Sequence, residues 1–219
     1  LNENLQRIIS VLPQFVAASG LTLSLTVIAI FIGLILGLLL ALGRISRNPV
    51  LNKVSFAYIW FFRGTPLLLQ ISFIYYQLPT LPPGITLSSF NAGFIALGLN
   101  SGAYLAEIIR AAIQSIDKGQ LEASKALGMS YGLAMRKVII PQSYRRLIPP
   151  VGNEFIALLK DSSLVSIISL TELMRLTTTM SNSMGSAVYY IPCAIFYLLL
   201  TTLFTVIFGR LEKKYSVYE

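Results

Sequence analysis

The sequence contains no histidine and one cysteine, and only 12% of its 219 residues are charged. Without histidine the chain has no imidazole base, no histidine-ligated metal site and no Ser-His-Asp arrangement. Cys193 cannot close an intrachain disulfide, and its apolar surroundings mark it as a small core residue. Nor is there a G-x-x-x-x-G-K-[ST] phosphate loop, so any nucleotide hydrolysis coupled to this chain belongs to another protein. The shortage of charge says most, because soluble domains carry about 25% charged residues.

What is present is apolar. Hydrophobic residues make up 55% of the chain, and the mean hydropathy is +0.72. Membrane residence is the direct reading. The net charge of +8 does not point to nucleic acid, because the basic residues sit between apolar runs, where inward-facing membrane loops carry them. Residues 1–10 are polar and the first apolar run is much longer than an h-region, so no cleavable signal peptide is expected.

Residues 8–43 carry no charge. As one helix they would measure roughly 54 Å, against a hydrocarbon core of about 30 Å. Breaks are therefore expected at Pro13 and Gly20, leaving an interfacial segment over 1–19 and a first span near 20–43. Arg44, Arg47, Asn48-Pro49 and Lys53 read as a short basic loop. The second charge-free stretch, 64–106, is punctuated by Pro79, Pro82, Pro83 and Gly84, a turn signal that separates spans near 61–78 and 87–110. Tyr58, Trp60, Phe61 and Phe62 form an aromatic belt that places Arg63 near a membrane interface. A last clean span covers 187–208.

Lysine and arginine set the orientation. They concentrate in 44–53, in 110–146 and in the C-terminal tail, while the linkers 1–13, 79–88 and 171–186 hold only Arg7 and Arg175. The basic segments are expected inside and the N-terminus outside. Since 110–146 and the tail share a side, the chain between them crosses an even number of times, and 149–170 must supply a fourth span. The expected architecture is all-α, with five transmembrane helices.

That fourth span holds Glu154, Lys160 and Asp161. Ionisable groups in a bilayer face a bundle interior or an aqueous path. Glu154 and Asp161 lie about 20° from a shared helical face, with Lys160 turned away by about 100°. Two carboxylates on one stripe can hold a cationic substrate near mid-membrane; alternatively Lys160 pairs with one of them, or with Glu107, to join helices. In the third span Asn100, Tyr104 and Glu107 share a face, with Ser101 and Gly102 beside them. They are candidate substrate ligands or helix-packing contacts.

Between the third and fourth spans, residues 117–141 read as two short helices. Gly128 suits a left-handed C-cap, Ser130 can cap the next helix, and Pro141 is expected to end it. Leu121, Ala126, Leu127, Ala134, Met135 and Val138 give it an apolar side. Such an element either plugs into a groove on a partner protein or lies on anionic lipid.

Here the chain resembles a known family. Glu122-Ala123, Gly128 and Val138-Ile139-Ile140-Pro141 match the cytoplasmic signature loop of ABC importer permeases, with Ser124 in place of the usual alanine. Phe62-Arg63-Gly64-Thr65-Pro66-Leu67-Leu68, Leu99-Asn100-Ser101-Gly102-Ala103-Tyr104-Leu105-Ala106-Glu107 and Lys160-Asp161-Ser162-Ser163-Leu164 are similar to the polar amino acid permeases of the histidine/arginine/glutamine class. The resemblance implies the type I importer fold over 20–212, with a cytoplasmic tail at 213–219. It implies a coupling helix–turn–helix built on Glu122, Ala123, Ser124, Gly128, Met129 and Pro141. It makes Arg63-Gly64-Thr65-Pro66 a helix break acting as a gate hinge, a simple turn being the alternative. The implied partners are an ATP-binding subunit that holds ATP and Mg²⁺, an extracytoplasmic amino acid-binding protein, and a second permease chain, identical or related. The implied location is a prokaryotic inner membrane, and no cofactor is expected in this chain.

The function expected is therefore ATP-driven import of polar amino acids. The acidic stripe favours basic ones, with glutamine or another polar amino acid as the alternative. An ion-coupled transporter or channel would also use mid-membrane acids, but five spans without internal repeats suit it poorly. An intramembrane enzyme is disfavoured because neither Cys193 nor any serine is paired with a base.

Overall fold

The computed structural model describes residues 3–215, and among these all regular structure is helical. The last four residues of the expected tail, 216–219, lie outside them. The chain opens with α1, Glu3–Ile45, a helix of 43 residues. The breaks expected at Pro13 and Gly20 are absent. Proline removes one hydrogen bond of the ladder, and here tertiary packing outweighs that loss. Phe15 is fully buried and stacks on Phe196 at 5.8 Å between ring centres. With Val11 and Ala18 it forms a small core together with Leu173, Tyr189 and Cys193. Cys193 is thus a core residue, its Sγ 3.8 Å from the Leu173 carbonyl.

A tight corner follows α1. Arg44 donates to Asn52 Oδ1 and Asn52 Nδ2 donates back to the Arg44 carbonyl, both at 2.6 Å. Asn48 caps α2, Pro49–Gly64, by accepting from Val50 N at 2.9 Å. The basic loop is therefore shorter than its sequence suggests, because the capping asparagine starts the helix immediately. After a break, α3 (Leu67–Ser72) leads through a π turn, Phe73–Gln77, and a 3₁₀ turn, Leu78–Thr80. Ser88 then caps α4, Ser89–Gln114, accepting from Asn91 N at 3.2 Å.

Helices α1 and α4 approach closely through paired glycines. A Cβ at Gly37 would stand 2.8 Å from Leu105 Cβ, and one at Gly98 would stand 3.0 Å from Ile32 Cγ2. Gly33 with Gly37 and Gly102 with Gly98 repeat this at four-residue spacing, the small-residue pattern that lets membrane helices pack backbone against backbone. Leu25, Ala29, Ala96, Leu97 and Leu105 fill the core beside this seam and meet Phe155, Leu158 and Leu159 of a later helix.

Next come α5, Lys118–Ala126, and α6, Tyr131–Ala134. A π turn, Met135–Ile139, joins α6 directly to α7, Ile140–Asp161. Pro141 does not end the helix, and Pro149 and Pro150 lie inside it. Pro141 lies in the first turn of α7, where the N–H that proline lacks is dispensable, and the widened turn just before it accommodates its ring. Glu172 caps α8, Leu173–Met184, by accepting from Met174 N and Arg175 N at 2.8 and 2.7 Å; it also accepts from Tyr197 Oη. This buried carboxylate is fully occupied as a cap. A 3₁₀ turn, Ala187–Tyr189, leads into α9, Tyr190–Tyr215.

Among the described residues three helical stretches are long and apolar enough to cross a membrane: Gln6–Ile45, Ser89–Gln114 and Ala187–Tyr215. The other two expected crossings correspond to the broken α2–α3 pair and to α7 with its continuation. Each is interrupted or charged, and that is where the polar features gather.

Candidate functional site

The break between α2 and α3 begins with proline chemistry. Pro66 has no N–H and disfavours helical geometry in the residue before it. Thr65 accordingly sits at φ −116°, ψ 146°. The carbonyls freed by the break are taken up by side chains. Thr65 Oγ1 donates to the Phe61 carbonyl at 2.9 Å. Gln70 Nε2 lies 2.9 Å from the Phe62 carbonyl, 3.1 Å from the Thr65 carbonyl and 2.8 Å from Thr65 Oγ1. Asn100 of α4 reaches in as well, donating to the Phe62 carbonyl at 3.1 Å and to Gln70 Oε1 at 3.0 Å.

Beside this break lies a cavity of about 340 Å³, lined by Thr65, Pro66 and Leu67, by Asn100 and Tyr104 of α4, and by Glu154, Ala157, Leu158 and Asp161 of α7. Both carboxylates of the acidic stripe therefore face the same space. Ser101 is fully buried behind it and donates to Glu154 Oε1 at 2.8 Å, which fixes that carboxylate. The cavity carries two acids and no basic side chain. It is sized for a small polar molecule, and its acids suit a cationic group. Among the described residues no cluster of three or more acidic or cysteine side chains could hold a metal.

Two residues expected at this site stand elsewhere. Lys160, adjacent to Asp161 in sequence, lines a separate depression with Ser163, Met174, Tyr190, Cys193, Ala194 and Tyr197. The turn of about 100° per residue carries it to another face. Glu107 pairs with Arg110 of its own helix at 2.5 Å rather than with Lys160. Together with Arg63, Tyr104, Arg146 and Pro150 it lines a larger cavity of about 540 Å³. Tyr104 borders both cavities, and the Arg63 guanidinium lies 5.2 Å from its ring centre. Gln70 was not among the residues singled out from sequence. Its signal is a lone amide in an apolar run, Leu67-Leu68-Leu69-Gln70-Ile71, in a segment rich enough in turn residues to need capping.

The segment between α4 and α7 has the hairpin form expected. Gly128 adopts φ +79°, in the left-handed region. Its N–H bonds the Lys125 carbonyl at 2.9 Å while Met129 N reaches the Ser124 carbonyl at 3.0 Å, a Schellman closure. Ser130 then caps α6, accepting from Leu133 N at 3.4 Å. Leu121, Tyr131 and Met135 border a depression with Ile113, Ile116 and Ile139, Tyr131 from an exposed position. Ser124 is buried, Glu122 and Ala123 are exposed, and Leu127 projects at the turn with 80% of its surface exposed.

A polar cavity where the membrane-length helix α4 meets the α2–α3 break and the charged helix α7, beside a projecting hairpin, suits a transport subunit. Comparison with known proteins agrees. Residues 33–217 match the family described as the binding-protein-dependent transport system inner membrane component. The arginine transport system permease protein of Bacillus subtilis is 37% identical over 219 residues, covering 98% of each chain. The glutamine transport system permease protein of Escherichia coli is 35% identical over 207 residues, 94% of each. A solved amino acid ABC transporter determined with histidines is 39% identical, with a TM-score of 0.90 over 95% of this chain and 97% of that one. The chain belongs to this family of inner membrane components of binding-protein-dependent transport systems.

Proposed function

We propose that the chain is the permease subunit of an ABC importer for polar amino acids, and that it favours substrates with a cationic side chain. The observation that carries this reading is the cavity at the α2–α3 break, where Glu154 and Asp161 face Asn100 and Tyr104. Carboxylates out of bulk water attract an ammonium or guanidinium far more strongly than they would at a surface. A neutral amide substrate is the second reading. It is favoured by the amide of Asn100 and the hydroxyls of Thr65 and Tyr104 in the same wall, and by the similarity to a glutamine permease.

In this reading the chain crosses the membrane five times, α2–α3 and α7 supplying the second and fourth crossings. The N-terminus is outside and the hairpin of α5 and α6 inside. The exposed turn around Leu127 and Gly128 docks on an ATP-binding subunit, which holds ATP and Mg²⁺. Arg63-Gly64-Thr65-Pro66 is the hinge of an inner gate, and Tyr104 separates the substrate cavity from the vestibule below it. A second permease chain completes the pathway, and an extracytoplasmic binding protein delivers the amino acid.

The test is ATP-driven uptake by the reconstituted complex, delivery protein included, across arginine, histidine, glutamine and glutamate. Preference for arginine or histidine supports Glu154 and Asp161 as counter-charges. Preference for glutamine supports the second reading, and no ATP-dependent uptake of any of them would sink both.

A further inference from the structure

The hydrogen bonds around the helix break decide which way the Asn100 amide faces. The Phe62 carbonyl can only accept, so the Asn100 atom 3.1 Å from it is the amide nitrogen. The Gln70 amide is oriented by the same logic. Its nitrogen faces the Phe62 and Thr65 carbonyls, which leaves its oxygen to accept from Asn100 Nδ2. Both N–H bonds of Asn100 are therefore spent inside the break. Its Oδ1 has no hydrogen-bond donor among the described residues, yet it is not among the buried polar atoms left without a partner. It is open to the cavity that Asn100 lines.

We propose that Gln70 is a specificity-positioning residue: by accepting one Asn100 N–H while the Phe62 carbonyl accepts the other, it presents Asn100 to the cavity as an acceptor only. Together with Glu154 and Asp161, this gives the cavity three acceptors around one space, a lining that suits the N–H donors of an ammonium or guanidinium. An amide free to turn would offer N–H donors instead, which suit the carbonyl of a glutamine side chain. Gln70 itself is 6% exposed and does not line the cavity, so it acts through Asn100. The inference rests on the reading that this cavity receives the transported amino acid.

Because a delivery protein imposes its own selectivity, the test measures binding to the purified permease–ATPase complex without it. Labelled arginine is titrated, then displaced by unlabelled glutamine. The wild type is expected to prefer arginine. Gln70→Leu removes one of the two acceptors that hold the Asn100 amide, leaving only the Phe62 carbonyl to orient it, and the arginine-to-glutamine affinity ratio should fall at least about tenfold. Gln70→Glu keeps an oxygen for the Asn100 N–H but loses the donors to the Phe62 and Thr65 carbonyls. It should hold the ratio within about threefold of wild type even where ATP-driven turnover drops. Should Gln70→Leu fail to assemble, Gln70→Met replaces it with the same expectation. A ratio unchanged in the leucine or methionine variant, or lost equally in the glutamate variant, would show that Gln70 only braces the helix break and would overturn the proposal. A wild type without arginine preference would instead overturn the substrate reading on which it rests.

Discussion

Glu154 and Asp161 differ in how firmly they are held, and that difference shapes what each contributes. Glu154 is partly buried, with one oxygen fixed by Ser101 Oγ; Asp161, seven residues on, is exposed at the same cavity. A hydrogen bond to a charged partner contributes about 1.5–3 kcal/mol. Glu154→Gln and Asp161→Asn should therefore each raise the KM for arginine uptake by roughly 10- to 100-fold. The ATPase subunit should still copurify with both. Uptake kinetics on the purified complex check this, and an unchanged KM in both would make the stripe structural. Helical spacing was enough to read this pair from sequence, because a seven-residue interval returns almost to the same face whatever the helix packs against. The positions of Lys160 and Glu107 were less legible. Their angular offsets were visible, but whether each turned to the cavity or to a neighbour depended on Arg110 and on the packing of α8 and α9.

At the scale of the helix, legibility followed whether the deciding interactions were local. The Gly128 turn and the Ser130 cap depend on a few neighbouring residues and fold as their chemistry requires. A Cβ at Gly128 would meet nothing within 4 Å, so only the backbone angle there, φ +79°, resists substitution. Gly128→Asp places a side chain in that left-handed turn and a charge beside Leu127. It should reduce ATP-coupled uptake by at least tenfold, or abolish copurification of the ATPase; normal coupled uptake would remove the docking assignment. The seam between α1 and α4 resists for a different reason. A Cβ at Gly37 meets Leu105 Cβ at 2.8 Å and the Ala106 backbone N at 3.0 Å. Gly37→Val should cost about 1–3 kcal/mol by overpacking, read as a lower thermal midpoint of the purified complex. The prolines misled for the converse reason. Pro13 and Pro141 carry strong local signals, yet Phe15 against Phe196 holds the helix through the first, and the π turn beside the second absorbs its ring.

The whole molecule shows where composition stops being informative. The membrane class follows from hydropathy alone, and α1, α4 and α9 are the plain apolar helices that hydropathy finds. The two further crossings proposed carry the break and the charges, so the segments hardest to recognise as spans are those that line the cavity. The proposed topology, five crossings with the hairpin inside and α8 outside, predicts opposite labelling. In a Cys193→Ser background, a single cysteine at Ser183 should react with an impermeant maleimide in intact cells. One at Lys125 should react only after permeabilisation. The reverse pattern would invert the orientation.

The uninterrupted helical run from Tyr131 through Asp161 gives the proposed orientation a mechanical meaning. It spans roughly 45 Å at the rise of a helix, with the exposed Leu127–Gly128 turn just ahead of one end and both cavity carboxylates near the other. Asn100 and the Gln70 latch sit on different helices. If the hairpin docks as proposed, torque applied there should turn Glu154 and Asp161 together relative to the amide of Asn100 on α4. In that reading a cation held between them would lose part of its coordination before any passage widens, and release would begin by dismantling the binding shell.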